Sequence, residues 1–378
     1  MIKIAFVIDT VATPSAGTEK QLLAVMNGLD KSRFEAHLIC LRDSEWLQNN
    51  PLSFPVRVLF APGLLRLSIL PAIRRLATYL REQNFDLIHA HYFDSVVLTA
   101  VAALVNHKPR LLTSRRGFIT SEKPQRAKQK ILRLIRHRYD GVICNSHALA
   151  SFVAQREGIP ARKITVIYNG LNIDRPTSAD STPPPPVLSA LGLSRDDIVV
   201  ATVANLRPVK NISLLIAAAA WFTERNPRVH FVVIGEGSHR PYLEKQIEHL
   251  NLKARFHLLG RQERPELILA HADIGVLPSI SESLSNALIE YQALGLPAVA
   301  SRVGGNGEII EHGKTGFLFE SGNLGDFCEQ LGRLIDDSDL RRSMGAAACR
   351  AAEKFSLARC LNEYQDYYEL MAGKTEAG

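Results

Sequence analysis

Short apolar runs of strand length alternate with amphipathic helical patterns from one end of this chain to the other. That alternation leaves few folds, because strands separated by helices pair in parallel and bury both faces of their sheet beneath those helices. In the first half the runs are Lys3 to Ile8, Glu35 to Cys40, Val56 to Phe60, Asp86 to His89, Arg110 to Thr113, Gly141 to Asn145 and Thr165 to Tyr168. A second series covers Ile198 to Val203, Val229 to Ile234, Arg255 to Leu259, Ile274 to Leu277, Ala298 to Ala300 and Phe317 to Phe319. Between them, residues 176–186 have no periodicity and end in four consecutive prolines, the composition of an extended connector. The expectation is α/β: two Rossmann-like doubly wound parallel-sheet domains, residues 1–180 and 187–355. In such sheets ligands sit beyond the carboxyl ends of the strands, so the residues just after each strand matter most.

The chain is 46% hydrophobic and 22% charged, which reads as globular. The longest uncharged apolar runs, Val96 to Val105 and Leu214 to Phe222, are about half of the roughly 18 to 20 residues needed to cross a bilayer. Met1 to Ile8 reads as a first strand, not as a secretory leader, so a cytoplasmic location is expected. Five scattered cysteines without a CxxC pair favour free thiols in a reducing compartment over bridges or zinc. No histidine or cysteine cluster has ligand spacing, and Asp337-Ser-Asp339 falls in a polar turn between helical patterns, where it reads as helix capping. No metal and no resident cofactor are expected.

Arg207 and Lys210 follow the strand Ile198 to Val203 and precede a helix expected to start near Ile212, with Asn211 as its cap. Two cations beside a helix N-terminus suit a diphosphate; the plainer alternative is a pair of solvated surface charges. After the strand Ile274 to Leu277 comes Glu282-Ser-Leu-Ser-Asn-Ala-Leu-Ile-Glu290, with a helix expected to begin near Ser285 or Asn286. A helical rise of about 1.5 Å per residue puts the two carboxylates about ten ångströms apart, with first-turn amides between them. That span suits a nucleotide sugar: Glu282 on hydroxyls of the sugar, the segment Ser283, Leu284, Ser285 and Asn286 at its phosphate, and Glu290 on the ribose.

These segments resemble retaining glycosyltransferase family 4, whose GT-B fold has two facing Rossmann-like domains. Arg207-Pro-Val-Lys-Asn211 resembles the family's phosphate-binding segment, Glu282 to Glu290 its E-x7-E motif, Val233-Ile-Gly-Glu-Gly237 its strand-to-loop element, and Tyr168-Asn-Gly170 the segment that closes the N-terminal domain. The resemblance implies a retaining, metal-independent hexosyltransferase that uses a UDP- or GDP-linked sugar, with Arg207, Lys210 and Glu282 as the catalytic set and Gly235 on the donor side. It matches the family's glycine loop to Ser15-Ala-Gly17-Thr-Glu19, where Ala16 replaces a common second glycine. His91, in His89-Ala-His91-Tyr-Phe-Asp94, falls on an acceptor-side segment. Where many relatives carry a histidine near the reacting carbon, this chain has Thr113-Ser-Arg115-Arg116-Gly117, so Arg116, or Arg115 if the register slips, would bind charge instead. The resemblance also implies that residues 356–378 pack back on the first domain. It places the enzyme in cell-envelope polysaccharide or glycolipid synthesis.

The net charge of +7 implies an acidic partner. Arg126, Lys128, Lys130 and Arg133 interleave with Ile131, Leu132 and Leu134 in one helical pattern, and Leu64 to Leu80 holds a second. Either these helices rest on an anionic membrane surface or their apolar residues face the domain's own core. Nucleic acid is not expected, because no aromatic platforms interleave with the basic run. Two rival functions remain at this level: a non-catalytic two-lobed sensor of nucleotide sugars, and a nicotinamide-dependent oxidoreductase, which the absence of GxGxxG after the first strand disfavours.

Overall fold

The structure, a computed structural model, describes residues 1–12, 17–61, 69–104, 109–118, 123–172, 185–194 and 196–373. The chain forms two compact units, one comprising Met1–Gly170 with Leu357–Gly378 and the other Leu171–Ser356. Residues 173–184, which include most of the expected connector 176–186, lie outside the described residues. The units part at Gly170 and Leu171, where the Gly170 N–H donates to Gln21 of its own unit and the Leu171 N–H to the Phe355 carbonyl of the other.

In the first unit the strands are β1 (Ile2–Ile8), β2 (Phe34–Cys40), β3 (Val56–Val58), β4 (Leu87–Ala90), β5 (Arg110–Arg115), β6 (Gly141–Cys144) and β7 (Ile164–Val166). They pair in parallel in the order β3-β2-β1-β4-β5-β6-β7. Because side chains alternate across a strand, β1 serves two cores. Ala5 and Val7 join one with Leu76 and Leu80 of the helix Leu70–Gln83. Ile4, Phe6 and Ile8 join the other with Leu22 and Val25 of the helix Gly17–Gly28 and with Tyr364 and Tyr368 of the helix Leu357–Ala372. Burial on both faces is the reason the strands read as near-continuous apolar runs.

The second unit repeats the plan with β8 (Ile198–Val203), β9 (Val229–Ile234), β10 (Phe256–Leu258), β11 (Ile274–Leu277), β12 (Ala298–Ser301) and β13 (Gly316–Phe319), paired in parallel in the order β10-β9-β8-β11-β12-β13. Each expected strand is present, its ends shifted by two residues at most. In each unit the order reverses direction once, between β1 and β4 and between β8 and β11. Connections from the two neighbouring strands leave in opposite directions there, opening a crevice at their carboxyl ends.

Candidate functional site

In the second unit the reversal lies between the two segments singled out by sequence. After β8 the chain forms a single turn, Pro208–Lys210, before the helix Ile212–Arg225. Pro208 presets the first residue of that turn, and Asn211 leaves it with a left-handed backbone (φ 52°, ψ 41°), which asparagine tolerates. The cap expected of Asn211 is not formed, since its side chain makes no capping hydrogen bond. The loop is braced from β9. Gly235 has φ +142°, and a Cβ there would lie 2.0 Å from the Ala204 carbonyl oxygen; one at Gly237 would lie 2.3 Å from that of Leu206. Two hydrogen bonds, Leu206 N–H to the Glu236 carbonyl (3.0 Å) and His239 N–H to the Leu206 carbonyl (3.0 Å), lock the two loops together. The Gly235 amide donates to the Gly260 carbonyl at 2.8 Å, and its missing side chain lets this strand end pack closely under the Arg207 loop.

The loop after β11 meets that turn. The Ile280 N–H donates to the Val209 carbonyl at 2.8 Å. Lys210 Nζ lies 2.5 Å from Glu282 Oε1, and the Ser279 hydroxyl donates to the same oxygen at 2.7 Å. Both charged side chains are largely sheltered, 22% and 11% exposed. Ser279 is fully buried, and its carbonyl accepts from Ser301 Oγ at 2.5 Å. Sequence reasoning missed Ser279; its one signal was a hydroxyl two residues beyond the strand end. Ser285 caps the helix Asn286–Ala293 as expected, its Oγ accepting from the Leu288 N–H. Glu290 sits in the second turn of that helix, partly exposed, while Leu284 is buried and the Ser283 carbonyl accepts from the Gly305 N–H at 3.1 Å. Arg207 is exposed, and its side chain makes no hydrogen bond or ion pair among the described residues. The structure thus brings Lys210 and Glu282 into contact and leaves Arg207 as the available cation beside them.

The reversal in the first unit holds a cavity of about 490 Å³. His91, just after β4, lines it with 2% of its surface exposed, and neither ring nitrogen has a hydrogen-bond partner among the described residues. Burial first, then His89 and Arg116, hold its pKa well below the ordinary histidine value. His89 is pushed down to about 3 by burial and by Arg116; its ring nitrogens bond to the Tyr368 and Ser114 hydroxyls, both at 2.8 Å. Of the two arginines left open by sequence, Arg115 is committed to Glu157 through paired contacts of 3.0 and 2.9 Å, the side chains 9% and 1% exposed. Arg116 lines the cavity, its guanidinium donating to Asn169 Oδ1 (2.6 Å) and the Tyr364 hydroxyl (2.9 Å). Gly17 is the exposed first residue of its helix; residues 13–16, including Ser15 and Ala16, lie outside the described residues.

Tyr92 and Asp94, of the acceptor-side segment His89 to Asp94, line the same cavity, as do Asp9, Arg42 and Lys128, which sequence reasoning did not place there. Arg42 bridges Asp9 (3.4 Å) and Asp94 (3.1 Å), and the second oxygen of Asp9 accepts from the Ser95 N–H (2.8 Å) and hydroxyl (2.6 Å). Burial raises the Asp9 pKa, against the lowering effect of the Ser95 hydrogen bond. The position of Asp9, directly after β1, was its only signal. Among the described residues no group of three or more histidine, cysteine or acidic side chains is arranged to hold a metal ion, and Asp337 caps the helix Ser338–Ala351 through the Leu340 N–H. All five cysteines are free thiols.

Comparison with known proteins follows this division. The model of Glycosyltransferase Family 4 matches residues 15–175, and that of Glycosyl transferases group 1 matches residues 189–350. The chain is 27% identical over 364 residues to the UDP-Gal:alpha-D-GlcNAc-diphosphoundecaprenol alpha-1,3-galactosyltransferase of Escherichia coli, covering 93% of each. It is 26% identical over 303 residues to the N-acetyl-alpha-D-glucosaminyl L-malate synthase of Bacillus anthracis, covering 79% of this chain and 78% of that one. Among solved structures, Anabaena HepE in complex with UDP has a TM-score of 0.83 at 24% identity, covering 98% of this chain and 100% of the other. With two successive family matches spanning most of its length and two parallel-sheet Rossmann-like units of this kind, the chain belongs to glycosyltransferase family 4 and has the GT-B fold.

Proposed function

We propose that the protein transfers a sugar from a UDP- or GDP-linked donor to a hydroxyl of a lipid-linked or cell-envelope glycan acceptor, with retention of configuration and without a metal. The observation that carries this reading is the contact of Lys210 with Glu282 beside the exposed Arg207, at the strand-order reversal of the second sheet. A lysine ammonium has three donors. One is directed at Glu282, which leaves others for a phosphate shared with Arg207. Glu282 receives Lys210 and Ser279 on Oε1, which leaves Oε2 to accept from sugar hydroxyls. The bond from the anomeric carbon to the diphosphate oxygen breaks while the acceptor oxygen bonds to that carbon on the same face. The acceptor proton passes to the departing diphosphate, and the two cations stabilise its developing charge. No carboxylate is required as a nucleophile. Supporting this reading, the Escherichia coli relative is named as a galactosyltransferase and HepE is described with UDP.

The test is incubation with a panel of nucleotide sugars, with and without lipid-linked saccharide acceptors. Nucleotide release that depends on acceptor, with the donor's anomeric configuration retained in the NMR spectrum of the product, is the expected result. Release from no donor overturns the transferase reading in favour of a sensor, and an inverted product overturns retention.

The same reading places the enzyme at an anionic membrane surface. In the helix Lys123–Ile135, Leu134 is 79% and Ile131 38% exposed, on a helix that also exposes Arg126, Lys130 and Arg133, while Leu132 is buried. In the helix Leu70–Gln83 the apolar Ala72, Leu76 and Leu80 face the core instead; residues 64–68 of the expected segment Leu64 to Leu80 lie outside the described residues. No described helix is long and apolar enough to cross a membrane. Contact through the first of these helices is therefore peripheral.

A further inference from the structure

We infer that Tyr291 is a positioning residue for the donor: its hydroxyl sets the span between the turn that carries Arg207 and Lys210 and the helix that carries Glu290. This rests on the transferase reading above and deepens it, by naming what fixes the distance between the two ends of a nucleoside diphosphate site. The relationship begins in the sheet. β8 pairs with β9 along its whole length, from Ile198 with Val229 to Val203 with Ile234, but with β11 only at Val200 with Ile274 and Ala201 with Gly275. Beyond Ala201 the two strands at the order reversal have parted, and β8 keeps a strand partner on one edge alone. On that edge the Ala204 N–H donates to the Ile234 carbonyl at 3.0 Å. The Val203 N–H, alternating to the other edge, donates to the Tyr291 hydroxyl at 2.8 Å. A buried backbone N–H without an acceptor is costly, and where the sheet opens one side chain supplies what the missing strand does not.

Tyr291 reaches this position from the helix Asn286–Ala293, across β11. It is fully buried, and its ring fills the place where β11 lacks a side chain: a Cβ on Gly275 would lie 2.5 Å from a ring carbon. Burial first, with Glu290 and Glu282 adding to it, pushes its pKa up against the lowering effect of the Val203 hydrogen bond, so the hydroxyl stays neutral. Glu290 directly precedes Tyr291 in the helix, and Val203 is the last residue of β8 before the segment of Arg207 and Lys210. The loop after β11 has its own ties to that segment, through Ile280 to Val209 and Glu282 to Lys210; Tyr291 adds the tie to the helix beyond the loop. In the transferase reading the diphosphate lies at Arg207 and Lys210 and the ribose at Glu290. A nucleoside diphosphate must match the distance between them, whereas inorganic pyrophosphate makes the first contact only and is indifferent to the span.

The test uses the full chain and two kinds of probe, the nucleoside diphosphates UDP and GDP and inorganic pyrophosphate, with affinities read by calorimetry. Tyr291→Phe keeps the ring against Gly275 and removes the hydroxyl. It is expected to weaken nucleoside diphosphate binding about tenfold, or about 1.4 kcal/mol, while pyrophosphate affinity stays within about twofold. Gly275→Ala, which pushes on the ring from β11, is expected to show the same split and carries the test if Tyr291→Phe does not fold. Phe222→Leu, a change elsewhere in the core of the second unit, is expected to lower stability in urea and to move neither affinity. Nucleotide bound equally by the parent and by Tyr291→Phe overturns the inference and leaves the donor reading standing. An equal loss for nucleotide and pyrophosphate also overturns it, because it marks general damage to the unit. A parent that binds neither nucleotide, or binds nucleotide but not pyrophosphate, overturns the donor reading itself and the inference with it.

Discussion

Lys210 Nζ and Glu282 Oε1 are 2.5 Å apart although the residues are separated by 72 positions in the chain. They meet because β8 and β11 are neighbours in the sheet, so the turn after one and the loop after the other share a single crevice. Glu282→Gln keeps the size of the side chain and removes its charge. The expected outcome is a loss of kcat of roughly 10²- to 10³-fold, the scale of one electrostatic contact to a transition state. Nucleoside diphosphate affinity should be kept or increased, because Lys210 is released to the phosphates. Steady-state kinetics and titration with UDP and GDP check both.

Arg207→Ala separates function from stability. The side chain is exposed and has no partner among the described residues, so urea unfolding should change by less than about 0.5 kcal/mol. The donor kcat/KM should nevertheless fall by about 10²-fold, since the arginine is proposed to meet charge on the leaving diphosphate. Unchanged turnover removes it from the catalytic set.

Acid should destabilise the first unit through its buried histidines. His89 is pushed down to about 3 and His91 well below its ordinary value, both mainly by burial, so both are neutral in the native state. Each takes up a proton on unfolding once the pH falls below about 6.5, and the lost stability grows with further acidification until the folded pKa is reached. Two such groups cost about 3 kcal/mol between about pH 7.5 and about pH 5.5. Urea unfolding across this range, compared with His91→Gln, measures the slope; the variant should show about half of it.

Arg115 and Glu157 form a buried pair with the side chains 9% and 1% exposed. Replacing Glu157 by Gln strands a buried guanidinium and should cost about 3–5 kcal/mol. Replacing both, Arg115→Met with Glu157→Leu, should cost less than the sum of the single changes. A double-mutant cycle in urea reads the coupling.

Exposed Ile131 and Leu134 make the membrane reading testable by flotation. The protein should float with phosphatidylglycerol vesicles and not with phosphatidylcholine ones. Binding should fall about tenfold in Ile131→Ser/Leu134→Ser and in the charge reversal of Arg126 and Lys130. Equal partition to both vesicle types removes the membrane from the proposal.

The strands were legible because a parallel sheet buried on both faces forces near-continuous apolar runs, and local composition alone reveals those. Positions after strands were legible for the same reason, which is how Arg207, Lys210, Glu282 and His91 were found. Asp9, Arg42 and Lys128 were not, because each is an ordinary charged residue in its own stretch and gains meaning only from the others lining one cavity. The Asn211 cap failed for a local reason: the turn Pro208–Lys210 ends in a left-handed residue, which leaves its side chain without a capping hydrogen bond.

Periodicity and residue type, properties of neighbours along the chain, are sufficient for the two series of strands, their order in sequence and the segments that carry charge. The sheet orders decide the rest. They join Lys210 to Glu282, commit Arg115 to Glu157 while Arg116 faces a cavity, and enclose His91 without a partner among the described residues. Each of these depends on which distant strands pair, and pairing is set by burial summed over a whole unit, which no single segment of the chain contains.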